Sequence, residues 1–122
     1  MKSEFKFAFK DLKVWYKAVD FADDIISLTE SLNANRKHYR LVEQMEAAAT
    51  SISMNIAEGK GRESKKEYVR FLYIARGSLY EVITLLIIFE KRNWISNEAL
   101  HKLEKDGYEI ASMLKGLINS VK

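Results

Sequence analysis

Not one proline interrupts the 122 residues of this chain. Proline is the strongest helix breaker, because it lacks the backbone N–H and its ring collides with the preceding turn. Its absence leaves long helices unopposed, and the apolar residues recur at helical spacing. Leu100, Leu103, Gly107, Ile110, Leu114, Leu117 and Val121 alternate steps of three and four, the a/d seam of left-handed bundle packing. Leu41, Met45, Ala48, Ile52 and Ile56 repeat in the same way, and so do Leu12, Trp15, Val19, Ala22 and Ile26. Each set defines one apolar helix face. The pattern predicts an arm over residues 1–10, then helices over about 11–32, 38–58, 64–92 and 96–121. Short polar connections such as 33–37 favour antiparallel neighbours. The expected fold is all-α, an antiparallel up-down-up-down four-helix bundle making one domain over 11–122.

The helix ends carry their own signals. Asp11 is the expected N-cap of the first helix. Ser64 and Glu67 have the spacing of a capping box, and Ser96 is placed to cap the fourth helix. Gly59 is expected to end the second helix in the left-handed conformation that glycine tolerates. Gly107, on the seam, marks a close helix crossing. In the arm, Phe5, Phe7 and Phe9 alternate with other residues. That predicts an extended segment with one aromatic face, packed on its own domain or on a neighbouring subunit. The run from Val82 to Phe89 is apolar nearly all round. It implies a helix central in the fold or shared with another subunit, and it is far shorter than the ~20 residues of a membrane span.

Much chemistry is excluded. There is no cysteine, so disulfides and thiolate metal sites are ruled out. The first residues lack the apolar core of a signal peptide, and a cytoplasmic location is expected. No glycine-rich phosphate loop or nucleophile–base pair is visible, and His38 and His101 stand alone. No catalytic residue, cofactor or metal is expected.

Two sets of polar residues remain. Asn55, Glu58 and Arg62 lie at steps of three and four and share a face; Asn55 and Glu58 are expected to tie down the helix end and the turn. Ser78 and Glu81 form a second pair, with Gln44 across the antiparallel turn within reach of Glu81 and Arg76 close enough to join. Both sets fit a buried network that fixes helix register.

Charge layout points further. Net charge is only +3. In an up-down-up-down bundle, residues 1–17, 58–70 and 115–122 share one end. They hold twelve basic and five acidic residues, a net of +7. The opposite end, 20–40 and 90–109, holds seven basic and nine acidic residues, a net of −2. Such a pole attracts phosphates through counterion release. Lys60, Arg62, Lys65, Lys66 and Arg70, with Lys10 and Lys13, are the candidate contacts. No RNA-recognition-motif signature accompanies them, so any recognition rests on shape and charge.

The residues also carry a recognisable pattern. Ser51-Ile52-x-x-Asn55-Ile56-Ala57-Glu58-Gly59-x-Gly61-Arg62, followed by Phe71-Leu72-x-x-Ala75-x-Gly77-Ser78-Leu79-x-Glu81, resembles the four-helix-bundle family of 23S rRNA intervening-sequence proteins. Leu12-x-Val14-Trp15 and Leu41-x-x-Gln44 match its opening signals. The resemblance implies a small bacterial protein without catalytic residues. Through a related accessory protein of diversity-generating retroelements, it also implies a homopentameric ring and an RNA partner. The expected function is a non-enzymatic, oligomeric bundle protein that binds RNA or another polyanion through its basic end. The alternative is a protein-interaction scaffold built on the apolar third helix and the aromatic arm.

Overall fold

The computed structural model describes residues 5–32 and 38–122. The connection 33–37 and the first four residues of the arm lie outside the described residues. Four helices follow one another: α1 (Lys13–Ser31), α2 (Tyr39–Lys60), α3 (Lys65–Lys91) and α4 (Asn97–Val121). No strand occurs among the described residues. α2 lies along α3, α1 along α2 and α4 along α3, and a lighter contact between α1 and α4 closes the up-down-up-down bundle.

The core contains Phe21 and Ile25 of α1, Met45, Ile52 and Ile56 of α2, Leu72, Leu79, Val82, Leu86 and Phe89 of α3, and Ile110 and Leu114 of α4. Removing this apolar surface from water drives the association of the helices. Ala18, Ala49 and Ala75 are fully buried, and their small side chains allow the backbones to approach. The predicted faces of α2 and α4 largely coincide with these positions. The face of α1 does not. Its buried stripe is Val14, Ala18, Phe21, Ala22, Ile25 and Thr29; of the predicted positions only Ala22 is buried, while Leu12, Trp15, Val19 and Ile26 are half-buried. The two stripes have the same three-four spacing and differ by one residue, a rotation of about 100°.

Several ends also differ from expectation. The arm is not extended throughout: Ala8–Asp11 form a 3-10 turn, which puts Asp11 inside the turn and leaves Leu12 at the N-cap of α1 without a side-chain cap. Phe9 folds back to pack its ring 5.0 Å from that of Trp15, with Phe7 stacked on it at 5.6 Å. Ser64 accepts a hydrogen bond from the Glu67 backbone N–H at 3.0 Å, and Ser96 does the same for Ala99. The Glu67 carboxylate does not complete the box, because Arg70 holds it instead.

Gly59 does not end α2, and no described glycine has a positive φ. α2 runs on through Lys60, with Gly59 buried against α3. A β-carbon at this position would lie 2.8 Å from the Phe71 Cβ and 3.2 Å from the Tyr68 carbonyl oxygen. The glycine is required by close approach, not by conformation. The left-handed residue is Asn93 instead, at φ 62°. It closes α3 in a Schellman motif: the Asn93 N–H bonds to the Glu90 carbonyl at 2.9 Å and the Trp94 N–H to the Phe89 carbonyl at 2.9 Å. The accompanying apolar contact is the Trp94 ring, 5.0 Å from that of Phe89.

Two glycines give a matched pair of expected results. In Gly59→Ala the near end of Phe71 blocks the new methyl, so α2 and α3 must separate. Overpacking of this kind costs about 1–3 kcal/mol, and denaturant unfolding should show a net loss. In Gly107→Ala the close atom is the flexible tip of Ile83, at 2.8 Å. That tip can turn away, and the helix gains about 1 kcal/mol of propensity, so stability should hold or rise.

By length and hydropathy alone α3 would also pass as a membrane span, over a window only one-third buried. In the bundle its buried face packs on α2 and α4, and its outer face keeps Tyr73, Ile74, Tyr80, Ile87 and Ile88 exposed. The apolar run is therefore not central on all sides.

Candidate nucleic-acid interface

The corner between α2 and α3 gathers the basic residues. α2 ends on Lys60, the chain turns through Gly61 to Ser64, and α3 begins at Lys65. The arm reaches the same corner, where Phe9 lines an open cleft with Met54, Ala57, Glu58, Gly61 and Arg62. The end of α4 arrives there too, with the Lys122 ammonium 5.7 Å from the centre of the Tyr73 ring. The described parts of these three segments thus meet at one end.

The cations are held in different ways. Arg62 and Arg70 both lie on the Phe71 ring, at 4.7 and 4.8 Å from its centre. Each also pairs with a carboxylate on its own side: Arg62 with Glu58 at 3.0 Å, and Arg70 with Glu67 at 3.0 Å. The Arg70 hydrogen bond holds the Glu67 carboxyl below the usual range. These pairs are exposed and screened by solvent, so they add little to stability. They help orient the two guanidiniums on the ring. Lys60 lies over Tyr68 at 5.8 Å, and Lys10 over Phe7 at 5.8 Å. Burial raises the Tyr68 hydroxyl above its ordinary value. Lys13, Lys65 and Lys66 are exposed.

The polar residues behind this surface separate into two bridges between α2 and α3. In one, Asn55 donates to the Ser51 carbonyl at 2.8 Å and to the Ser51 hydroxyl at 2.9 Å, and Ser51 shares a 2.8 Å hydrogen bond with Ser78. In the other, Gln44 donates to Glu81 at 3.1 Å, and both residues are exposed, so this bridge is not the buried network expected. Ser78 sits opposite Ser51, closer to the turn than the Gln44–Glu81 pair. Glu58 belongs to neither bridge: its carboxylate faces solvent and holds Arg62 instead of the turn backbone. Arg76 does not join either. Its guanidinium lies over the rings of Tyr73 and Tyr80, at 4.7 and 5.7 Å. Sequence spacing fixed which residues share a face, but not that tyrosines one turn away would compete for the guanidinium.

The 23S rRNA-intervening sequence protein model matches residues 10–116. The chain belongs to this family. A similar crystal structure is that of a protein of unknown function from the S23 ribosomal protein family of Bacteroides thetaiotaomicron. It shares 27% identity, covers 86% of this chain and 97% of its own, and superposes with a TM-score of 0.80. No curated protein matches the chain.

Among the described residues, no group of three or more His, Asp or Glu is placed to hold a metal ion. Glu98 and His101 do have the Glu-x-x-His spacing of di-metal bundles, which the reading of His101 as isolated passed over. Both are exposed near the start of α4. α1 and α4 are joined by ion pairs, Lys17 with Glu109 and Lys102 with Asp24, and Lys102 also pairs with Asp106 within α4. The hydrogen bonds to Glu109 and Asp106 raise the two lysines above their ordinary values.

Proposed function

We propose that this protein is a non-enzymatic, self-assembling bundle of the bacterial cytoplasm that binds RNA, or another polyanion, through its basic end. The observation that carries the reading is Lys65 and Lys66 in the first turn of α3. A helix N-terminus is the positive end of the backbone dipole, where acidic side chains stabilise and lysines do not. Helix stability disfavours this arrangement, whereas a phosphate ligand favours it, because the first-turn N–H groups and the lysines act on the same charge. Arg62 and Arg70, fixed on Phe71, extend the positive surface beside them. Copies pack through the exposed apolar residues toward the end of α3, Ile87 and Ile88. A ring of five, the arrangement the family resemblance implies, repeats the basic end around a common rim.

The test is a salt titration of binding to a structured RNA. Neutralising four phosphates predicts a slope of log K against log salt of about −3 to −4. Absence of binding at low salt, or binding indifferent to salt, would sink the proposal. A second reading, a protein-interaction scaffold, draws on the groove between α3 and α4, where Leu79, Ile83 and Ala111 lie beside the exposed Tyr108. A monomer in light scattering would remove self-assembly from either reading.

A further inference from the structure

The outer face of α3 continues the basic corner into a strip that charge alone does not explain. Lys66, Arg70, Tyr73 and Tyr80 follow one another at steps of four, three and seven and so share a line along the helix. Tyr73 and Tyr80 are 37% and 54% exposed. The Arg76 guanidinium bridges their rings, and Lys122 reaches Tyr73 from α4. Gly77, between the tyrosines, has open space beyond it. Tyr80 also borders the groove between α3 and α4, across from Tyr108.

We propose that the Tyr73–Arg76–Tyr80 strip is a stacking platform for unpaired bases, so that the basic end prefers RNA with single-stranded segments. The inference rests on the RNA-binding reading above and names the class of RNA. Aromatic and guanidinium planes accept bases of any identity, while neighbouring cations track the backbone. The two tyrosines stand seven residues, about 10 Å, apart along the helix. Arg76 is held by no carboxylate among the described residues. Its contacts fix the rings in place before a ligand arrives. An apolar protein partner docked here would bury Arg76 and Lys122 without counter-charge, which is costly. A phosphate backbone supplies that charge. A duplex supplies it too, but its bases are stacked inside and cannot reach the tyrosines.

Fluorescence anisotropy with an unstructured single-stranded RNA and a duplex of the same length tests this. The single strand should bind more tightly. Tyr73→Ala with Tyr80→Ala should weaken single-strand binding at least about tenfold, leave duplex binding nearly unchanged, and keep the helical circular dichroism of the parent. Tyr73→Phe with Tyr80→Phe should retain the affinity, since stacking needs the ring and not the hydroxyl. Equal, salt-sensitive binding of both RNAs, unaffected by the alanines, would overturn the stacking platform and leave the basic end as a binding surface. No binding of either RNA at low salt would overturn both. A changed assembly state in the alanine variant, with no preference for the single strand, would show that the tyrosines face another copy, and would also overturn the platform.

Discussion

Changing Lys60, Arg62, Lys65 and Lys66 together to glutamate should abolish RNA binding at physiological salt and leave the bundle folded. The four exchanges take the net charge from +3 to −5, since each removes two charge units. Each lost cation removes one released counterion from the binding equilibrium, and each new carboxylate repels the backbone. The affinity loss should exceed about a hundredfold. Folding is spared because Arg62, Lys65 and Lys66 are exposed and Lys60 is only half-buried. The Glu58–Arg62 pair is lost, at about 0.3–0.5 kcal/mol for such a pair. Glutamates at the start of α3 return about 0.3–1 kcal/mol each through the helix dipole. Circular dichroism and thermal unfolding should therefore match the parent while binding disappears.

Phe89→Ala should have the largest effect on stability, about 3–5 kcal/mol. Phe89 is fully buried, at the C3 position of the Schellman motif, and packs against Trp94, which in turn meets His38 at 4.6 Å. Truncation removes the apolar contact that accompanies the motif, opens a cavity in the core and loosens the anchor of the α3–α4 turn. Domains of this size are stable by about 5–15 kcal/mol in total, so the thermal midpoint should fall by on the order of 10 °C. The neighbour Ile88 is 40% exposed. Ile88→Ala should cost less than about 1 kcal/mol in the isolated subunit, and its effect should appear in the assembly state. Denaturant unfolding of the two variants, with light scattering, separates core from surface on one turn of one helix.

The bundle was legible in the sequence because three-four spacing is a direct consequence of helix geometry, and α2 and α4 carry it on narrow stripes. α1 carries two overlapping stripes one residue apart, Leu12–Trp15–Val19 and Val14–Ala18–Phe21. Only the tertiary contacts choose between them. Gly59 and Asn93 show a second limit. Glycine is the usual left-handed residue at a helix end, yet Gly59 is needed for packing on Phe71, and Asn93 takes the left-handed role. A glycine in a sequence does not say whether conformation or space required it.

At the candidate interface the basic corner was readable from chain order alone, since antiparallel topology fixes which segments share an end. The aromatic partners of the cations were not. Arg76 and Glu81 are five residues apart on one helix, and charge suggests that they interact. The structure places Arg76 on Tyr73 and Tyr80 instead, at the (i, i−3) and (i, i+4) positions that helical side chains reach. Attention to aromatic residues at those spacings would have exposed the strip.

The central claim concerns where the charge lies, not how much there is. The most direct measurement compares two variants of equal net charge for binding to one structured RNA across a salt series. One reverses Lys60, Arg62, Lys65 and Lys66; the other reverses Arg40, Lys91, Arg92 and Lys105 at the opposite end. Loss of binding in the first, with affinity and salt slope nearly retained in the second, is the predicted result. Equal losses in both would contradict it.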